Sequence, residues 1–211
     1  MTPFETKTQF VILMHPREAR KEKTGTGRLA HAILKNSEII IDVDFTNNEK
    51  VNSLISNTFF FPTLLYPGDT TIDITQSDAL FLPNNKKLLI FVIDGTWSCA
   101  KKMMKLSKNL HSLQRISFSK SITSKFSIKT QPNSLCLSTI EALFYTIESL
   151  NRINLENTTE QNNLLLILDK LVLHQKQCAA DERLSGYRKS PFKKENQKKP
   201  SKKWEKRKVF F

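Results

Sequence analysis

Residues 86–94, KKLLIFVID, contain six consecutive apolar side chains and then end on an acid. A strand with one face in water alternates apolar and polar residues, whereas a strand covered on both faces is apolar throughout. The run is therefore typical of a central strand in a parallel sheet. Such a sheet needs helices on both of its faces, so it restricts what the remaining segments can be.

Other segments fit an alternation of strands and helices. Apolar or β-branched runs predict strands at residues 8–15, 38–43, 62–67 and 113–118. Apolar residues at helical spacing predict helices at residues 27–36, 96–107, 138–151 and 164–178. In the helix at 96–107, the side chains expected to face inward are Trp97, Ala100, Met103 and Met104. This order predicts an α/β domain with a mainly parallel sheet over residues 1–184.

The positive charge of the chain is concentrated at its C-terminal end. The 211 residues include 33 Lys and Arg and 20 Asp and Glu, a net charge of +13. Residues 181–211 contain 12 of the basic and 4 of the acidic residues, so they contribute +8. Apolar periodicity also ends at residue 185. We expect residues 185–211 to form a flexible basic tail that binds a nucleic-acid backbone without sequence preference, through residues such as Lys202 and Lys203.

Cysteine usage and hydropathy exclude several protein classes. Cys99, Cys136 and Cys178 are far apart, and no two of them form a CxxC pair. This pattern argues against a disulfide framework and against a structural zinc site. No apolar run approaches the length of about 20 residues that a membrane helix needs, and the N-terminus does not resemble a signal peptide. We expect a cytoplasmic protein that binds no metal and no membrane.

A glycine-rich stretch, TGTGRLA at residues 24–30, matches the G-x-G-x-x-A pattern of a dinucleotide-binding loop. Asp42 and Asp44 follow near the distance expected for an acid that binds a ribose. In that motif, however, the first glycine comes directly after the first strand, and here ten residues, HPREARKEKT, intervene. A tight turn before a helix explains the glycines equally well. An NAD-linked enzyme is kept as an alternative.

A basic cluster follows the first predicted strand. His15, Arg17, Arg20 and Lys23 lie in HPREARKEK at residues 15–23. These side chains could hold RNA phosphates or a carboxylate, and a solvated charged loop is an equally good interpretation.

The stretch DGTW, residues 94–97, stands where the central strand gives way to a helix. Ligands of open α/β sheets gather at the carboxyl ends of the strands. Asp94 is therefore a candidate general base, and the alternative is that it caps the helix beginning near Thr96. Trp97 is a candidate platform for a flat base, and the alternative is a place in the core.

A second helix start lies within QPNSLCLSTIEAL, residues 131–143. Ser138 and Glu141 have the S-x-x-E spacing of a capping box. The free backbone N–H groups of such a helix start can bind an anion or a carboxylate, although a plain helix cap needs no ligand.

Taken together, these stretches resemble the DTW-domain family. The matching segments, in order from about residue 8 to residue 180, are ILMHPREARKEKTGTGRLA, LLYP, IDGTWSCAKKM and QPNSLCLSTIEA. The resemblance implies a fold similar to the SPOUT class, with a knotted C-terminal part. It also implies an enzyme that transfers the 3-amino-3-carboxypropyl group of S-adenosylmethionine to N3 of a uridine in tRNA. The products would be acp3U and methylthioadenosine.

On this resemblance, Asp94 is the expected base that removes the uridine N3 proton. The expected donor-binding residues are Leu65, Tyr66, Pro67, Gly95, Thr96, Trp97, Gln131, Leu137, Ser138, Thr139 and Glu141. The expected RNA-binding residues are His15, Arg17, Arg20, Lys23, Arg28, Lys101, Lys202 and Lys203. The carboxylate of the donor is expected at the amides near Ser138 and Thr139, or at Arg17 or Arg28. We expect a monomer that binds tRNA and not DNA.

The chain departs from the family in one respect. Many members carry a cysteine cluster before the first strand, and the residues that precede the first strand here contain no cysteine. Any RNA contact made by such a module is therefore in doubt, and the basic tail is a candidate replacement. Two further alternatives are a SPOUT-class RNA methyltransferase that uses the same donor and an RNA-binding protein without catalysis.

Overall fold

A six-stranded parallel sheet forms the centre of this protein in its computed structural model, which describes residues 2–21, 25–68, 70–75, 80–118, 124 and 137–180. The strands are β1 (Gln9–Met14), β2 (Ser37–Ile41), β3 (Phe60–Leu65), β4 (Ile72–Asp73), β5 (Lys87–Asp94) and β6 (Gln114–Ser117). The helices are α1 (Pro16–Lys21), α2 (Thr26–Ile33), α3 (Glu49–Ser56), α4 (Trp97–Leu106), α5 (Thr139–Arg152) and α6 (Asn162–Ala180). A 3₁₀ turn spans Lys108–Leu110.

The spatial order of the strands is β2-β1-β5-β3-β6-β4, and every neighbouring pair is parallel. The carboxyl ends of all six strands therefore meet at one edge of the sheet. The predicted α/β fold with a mainly parallel sheet is confirmed. The apolar run of β5 is explained by its central position between β1 and β3.

Helices cover both faces of the sheet, as expected. Leu88, Ile90 and Val92 of β5 pack into one core with side chains from α2, α5 and α6. Leu89 and Phe91, which point the other way, pack into a second core with side chains from α3, α4 and the 3₁₀ turn. Because successive strand residues face opposite sides, an unbroken apolar run is what two buried faces require.

The structure adds elements that the sequence pattern did not predict. The stretch interpreted as a charged loop, HPREARKEK, is helical over Pro16–Lys21, and proline suits the first position of a helix because it needs no N–H there. Asn48 caps the start of helix α3, and its side chain accepts a hydrogen bond from the Val51 N–H. Val51, Leu54 and Ile55 form the inward face of this helix, a three-residue apolar stripe at helical spacing that was missed in the sequence. Strand β4 has only two residues.

In α4, the prediction of the inward face is wrong at one residue. Cys99, Ala100, Met103 and Met104 are buried, but Trp97 is half-buried. Trp97 is the first residue of the helix and lies at the sheet edge rather than over its centre, so the core does not enclose it.

Two predictions about the C-terminal half remain predictions. The knotted part and the basic tail over 185–211 depend on residues 119–136 and 181–211, of which only Ser124 is described. Within the described residues, no helix is long and apolar enough to cross a membrane.

A buried acid joins the α5–α6 connection to the start of the sheet. Glu156 is 3% exposed, and its carboxylate accepts hydrogen bonds from the backbone N–H of Lys7, at 3.0 Å, and of Thr8. These N–H groups precede β1 and are satisfied by this side chain.

We therefore expect Glu156→Ala to lower the free energy of unfolding by about 2–4 kcal/mol, because two N–H groups lose their acceptor. Glu156→Gln keeps one acceptor oxygen and should cost less. Urea denaturation of the three proteins measures this difference. Equal stability of Glu156→Ala and the parent chain would contradict the assigned role.

Candidate active site

The strand order places the switch point of the sheet, where open parallel sheets form a crevice, at the carboxyl ends of β1 and β5. These neighbouring strands are in register, with Met14 opposite Asp94. The chain leaving β1 reaches α2 on one face of the sheet, whereas the chain leaving β5 enters α4 on the other face. Ligands of open parallel sheets bind where successive connections diverge in this way. His15 and Asp94 stand at this point.

Asp94 is held between the starts of two helices. It is 7% exposed, and its carboxylate accepts a hydrogen bond from the hydroxyl of Thr139, the first residue of α5. On the other side it lies against Gly27 in the first turn of α2, where a Cβ would come within 2.6 Å of Asp94 Oδ2. The N-terminal end of a helix carries partial positive charge, so both helices favour a carboxylate here.

The capping alternative for Asp94 is wrong. Thr96 caps α4, since its side-chain oxygen accepts a hydrogen bond from the Cys99 N–H at 3.4 Å. Asp94 instead links the end of β5 to α5 through Thr139.

The glycine-rich stretch also has a structural explanation. Helix α1 lies between β1 and Gly25, so the glycines do not follow the strand as a dinucleotide-binding loop requires. Gly25 precedes α2 as its N-cap. Gly27 is small because the carboxylate of Asp94 occupies the space beside it.

His15 is the second titratable residue at the crevice. It is buried. Its backbone N–H donates to the backbone carbonyl of Asp94 at 2.9 Å, and its ring nitrogen Nδ1 accepts from the backbone N–H of Arg17 at 3.1 Å. Because Nδ1 is an acceptor, the proton of the neutral ring is on Nε2. Gly95 allows this close packing, since a Cβ there would lie 3.4 Å from His15 Cβ.

Burial lowers the pKa of His15 below its ordinary value of 6.5, and the charges of Arg17 and Lys102 act in the same direction. The charge of Glu18 opposes them. His15 is therefore neutral at pH 7, so any contact with RNA would come from the Nε2–H group rather than from a positive charge.

The segments predicted to bind the donor come together at this edge. Leu65 ends β3, which pairs with β5, and the following Tyr66 N–H donates to the Ile116 carbonyl of β6 at 3.1 Å. Tyr66 and Pro67 are half-buried. Leu137, Ser138 and Thr139 form the described part of another predicted donor segment. The Thr139 hydroxyl links this segment to Asp94. Gln131, also predicted for the donor, lies outside the described residues.

Glu141 serves the helix start, as the capping-box prediction requires. Its buried carboxylate accepts hydrogen bonds from the Ser138 N–H at 2.8 Å, the Ser138 hydroxyl at 2.6 Å and the Ser124 hydroxyl at 2.8 Å. The capping box of α5 is confirmed. A contribution of Glu141 to donor binding stays a prediction.

Exposed cations surround the crevice. Arg17, Arg20 and Lys101 are exposed on α1 and α4. Arg28 in α2 is exposed as well, and its Nη2 donates to the Ala19 carbonyl at 2.9 Å, which ties α2 to α1. The other predicted RNA contacts, Lys23, Lys202 and Lys203, lie outside the described residues.

One basic residue at this edge was missed. Arg115 of β6 is half-buried, and its Nη1 lies 2.8 Å from the point that a Cβ on Gly68 would occupy. Its sequence context, LQRISF, indicated only a strand. Among the described residues, no group of three or more His, Cys, Asp or Glu side chains could hold a metal ion.

Comparison with known proteins identifies the family. A family model described as the DTW domain matches residues 1–176. This chain belongs to the DTW-domain family. It is 28% identical over 187 residues to tRNA-uridine aminocarboxypropyltransferase 2 of Macaca fascicularis, a match that covers 87% of this chain and 60% of the relative. The protein of the same name from Mus musculus is 27% identical with the same coverage.

The corresponding protein of Drosophila melanogaster is 27% identical over 141 residues, which is 66% of this chain and 55% of the relative. The chain thus spans about three fifths of the length of the curated relatives it matches. No solved structure matches it significantly.

Asp94, Thr96 and Trp97 of the DGTW stretch each have their own place in the local structure. Asp94 lies between the starts of α2 and α5. Thr96 caps α4. Trp97 opens α4 and is half-buried beside the crevice. The acid and the aromatic ring thus border the crevice, and the threonine fixes the turn between them.

We expect Gly27→Ala to lower the melting temperature, although alanine is the better helix former by about 1 kcal/mol. Its Cβ would contact Asp94 Oδ2 at 2.6 Å, so the carboxylate or α2 must shift. In an Asp94→Ala background this contact is absent, and Gly27→Ala should then be neutral or stabilising. Thermal denaturation of the four proteins tests the coupling. Additive effects of the two substitutions would argue against the close contact.

His15 should make the protein less stable in mild acid. Its pKa is lowered in the folded state, so the unfolded chain binds the proton more readily. The stabilising contribution is complete above pH 6.5 and decreases as the pH falls through 6.5 towards the lower folded-state value. His15→Asn keeps an acceptor for the Arg17 N–H but does not titrate. Melting temperatures from about pH 7.5 to 5.5 should fall less steeply in this variant, and parallel curves would exclude His15 as the cause.

Proposed function

We propose that this protein transfers the 3-amino-3-carboxypropyl group of S-adenosylmethionine to N3 of a uridine in tRNA, forming acp3U and methylthioadenosine. The observation that carries the proposal is membership of the DTW-domain family over residues 1–176, with relatives named tRNA-uridine aminocarboxypropyltransferase 2. The buried acid at the crevice supports it, because the reaction needs a base.

The residues at the carboxyl edge fit a donor of this kind. The half-buried rings of Tyr66 and Trp97 offer flat apolar surface to a purine. Thr71 Oγ1 is buried without a hydrogen-bond partner among the described residues, and it lies 3.4 Å from the position of a Cβ on Gly68. A polar ligand in this loop would satisfy it. We therefore assign donor binding to Leu65–Pro67, Gly95–Trp97 and Leu137–Thr139.

When bound, the donor supplies an alkyl carbon attached to a sulfonium, which is a good leaving group. The work left to the protein is to align the uridine and to take up its N3 proton. We assign the proton to Asp94, whose orientation is fixed by the hydroxyl of Thr139. A general base contributes a factor of about 10² to 10⁴ to the rate, so alignment must supply much of the remainder.

The exposed cations Arg17, Arg20, Arg28 and Lys101 would bind the phosphates of the tRNA beside the crevice. Such contacts position the substrate without reading its sequence.

The experiment that tests the function is mass spectrometry of tRNA nucleosides after incubation with the protein and S-adenosylmethionine. We expect acp3U together with free methylthioadenosine. A methylated nucleoside with S-adenosylhomocysteine would instead identify an RNA methyltransferase. Binding of tRNA without any modified nucleoside would identify an RNA-binding protein.

For Asp94→Asn we expect kcat to fall by about 10²- to 10⁴-fold, the usual contribution of a general base. Asparagine keeps an oxygen that can accept the Thr139 hydroxyl, so the melting temperature should change little. Single-turnover formation of acp3U and thermal denaturation measure the two effects. Full activity in this variant would refute the role of Asp94 as base, and unfolding would show that its role is structural.

A further inference from the structure

Arg115 is the feature of the carboxyl edge that neither the sequence motifs nor the proposed reaction explains. It lies in β6 opposite Leu64 of β3, and its side chain reaches the loop that follows β3. There its Nη1 occupies the space where a Cβ on Gly68 would lie, 2.8 Å from that point. Gly68 has no positive φ, so its backbone conformation does not require glycine, and the guanidinium fills the space that a side chain there would occupy.

The guanidinium has no acidic partner among the described residues. The two ion pairs found there join Lys35 to Glu5 and Lys50 to Glu38. No described side chain accepts a hydrogen bond from Arg115. Its positive charge acts on the neighbouring Tyr66: burial raises the pKa of Tyr66, and the charge of Arg115 partly opposes this rise. A half-buried arginine with five N–H donors and no acceptor is suited to a ligand that brings its own negative charge.

Arg115 differs from the other cations of this edge because its side chain is half-buried. Arg17 and Arg20 are exposed, as expected for contacts with an RNA backbone. Arg28 already donates to the Ala19 carbonyl. The half-buried side chain of Arg115 reaches the loop that follows β3, where a small molecule can enter more readily than a tRNA backbone.

The start of α5 is another candidate site for the donor carboxylate, but two of its hydrogen-bonding groups already have partners. The Ser138 N–H there is already bound by Glu141, and the Thr139 hydroxyl is bound by Asp94. Among the described residues, no side chain binds the guanidinium of Arg115, and a guanidinium binds a carboxylate through two parallel hydrogen bonds.

We propose that Arg115 binds the carboxylate of the aminocarboxypropyl arm, with Gly68 providing the space for its guanidinium. This inference rests on the proposed function and extends it to the orientation of the donor. Anchoring the carboxylate determines which carbon on the sulfonium faces the acceptor. Arg115 is thereby a specificity-determining residue for transfer of the arm rather than of the methyl group.

Arg115 and Asp94 leave the sheet on opposite faces, so a donor that contacts both must pass over the carboxyl edge of the sheet. Asp94 contacts α2 and α5 on one face, whereas Arg115 is opposite Leu64, which faces the other core. Their strands are separated by β3, or two strand spacings of roughly 10 Å in total. A donor arm running from Arg115 towards Asp94 would cross the end of β3 at Tyr66, within the assigned donor loop.

Calorimetric titration with S-adenosylmethionine and with decarboxylated S-adenosylmethionine tests the anchor without turnover. The parent protein should prefer the carboxylated ligand by about tenfold or more, as a charge-assisted pair predicts. In Arg115→Gln this preference should disappear. Gly68→Ala should reduce it while leaving the melting temperature nearly unchanged, because only the end of a flexible side chain has to move. Lys170→Gln removes one exposed charge from α6 and should preserve the preference.

Three results would overturn the proposal. They are the same preference in Arg115→Gln as in the parent, an equal loss of affinity for both ligands, and no preference in the parent protein. A fall in tRNA affinity with an unchanged ligand preference would assign Arg115 to an RNA phosphate. If the preference depends on Arg115 but no acp3U forms in the nucleoside assay, the anchor is supported and the proposed reaction is rejected.

Discussion

The burial of β5 on both faces is the constraint on which the rest of this structure depends. A strand with no polar face requires helices on each side, and α2, α5 and α6 on one side and α3 and α4 on the other meet this requirement. Parallel neighbours then bring all strand ends to one edge. Because the connections after β1 and β5 leave on opposite faces, the same packing that stabilises the core also opens the crevice beside Asp94.

Asp94 has a structural and a proposed chemical role, and the two are compatible. Its link to Thr139 and its contact with Gly27 hold the starts of α5 and α2 against the end of β5. The same helix ends surround the carboxylate with partial positive charge and define its orientation. A base must be fixed in direction before it is useful, and the contacts that make Asp94 part of the fold also fix the direction of its carboxylate.

The sequence predicted those parts of the fold that local patterns encode. The central strand and the longer helices follow from apolar periodicity, and the capping box at Ser138 follows from spacing. Helix α3 was missed because its apolar stripe is short, with only Val51, Leu54 and Ile55 among polar residues. The contact between Gly27 and Asp94, the bonds from Glu156 to the start of β1 and the reach of Arg115 to Gly68 join distant segments. No local pattern specifies such contacts, so they required the assembled sheet. For the same reason motifs predicted Asp94 as a site residue but gave no indication of Arg115.

The choice of transferred group shows why these distant contacts matter. An aminocarboxypropyltransferase and a methyltransferase can use the same donor, and a sulfonium activates each of its carbons in the same way. Neither a parallel sheet nor a base beside it distinguishes the two reactions. The distinction lies in which carbon is turned towards the acceptor, and this depends on where the charged end of the donor is held. On that argument, the residue that decides the product need not contact the reacting atoms. On the proposed assignments, the half-buried Arg115, two strands away from Asp94, would fix the direction of the arm.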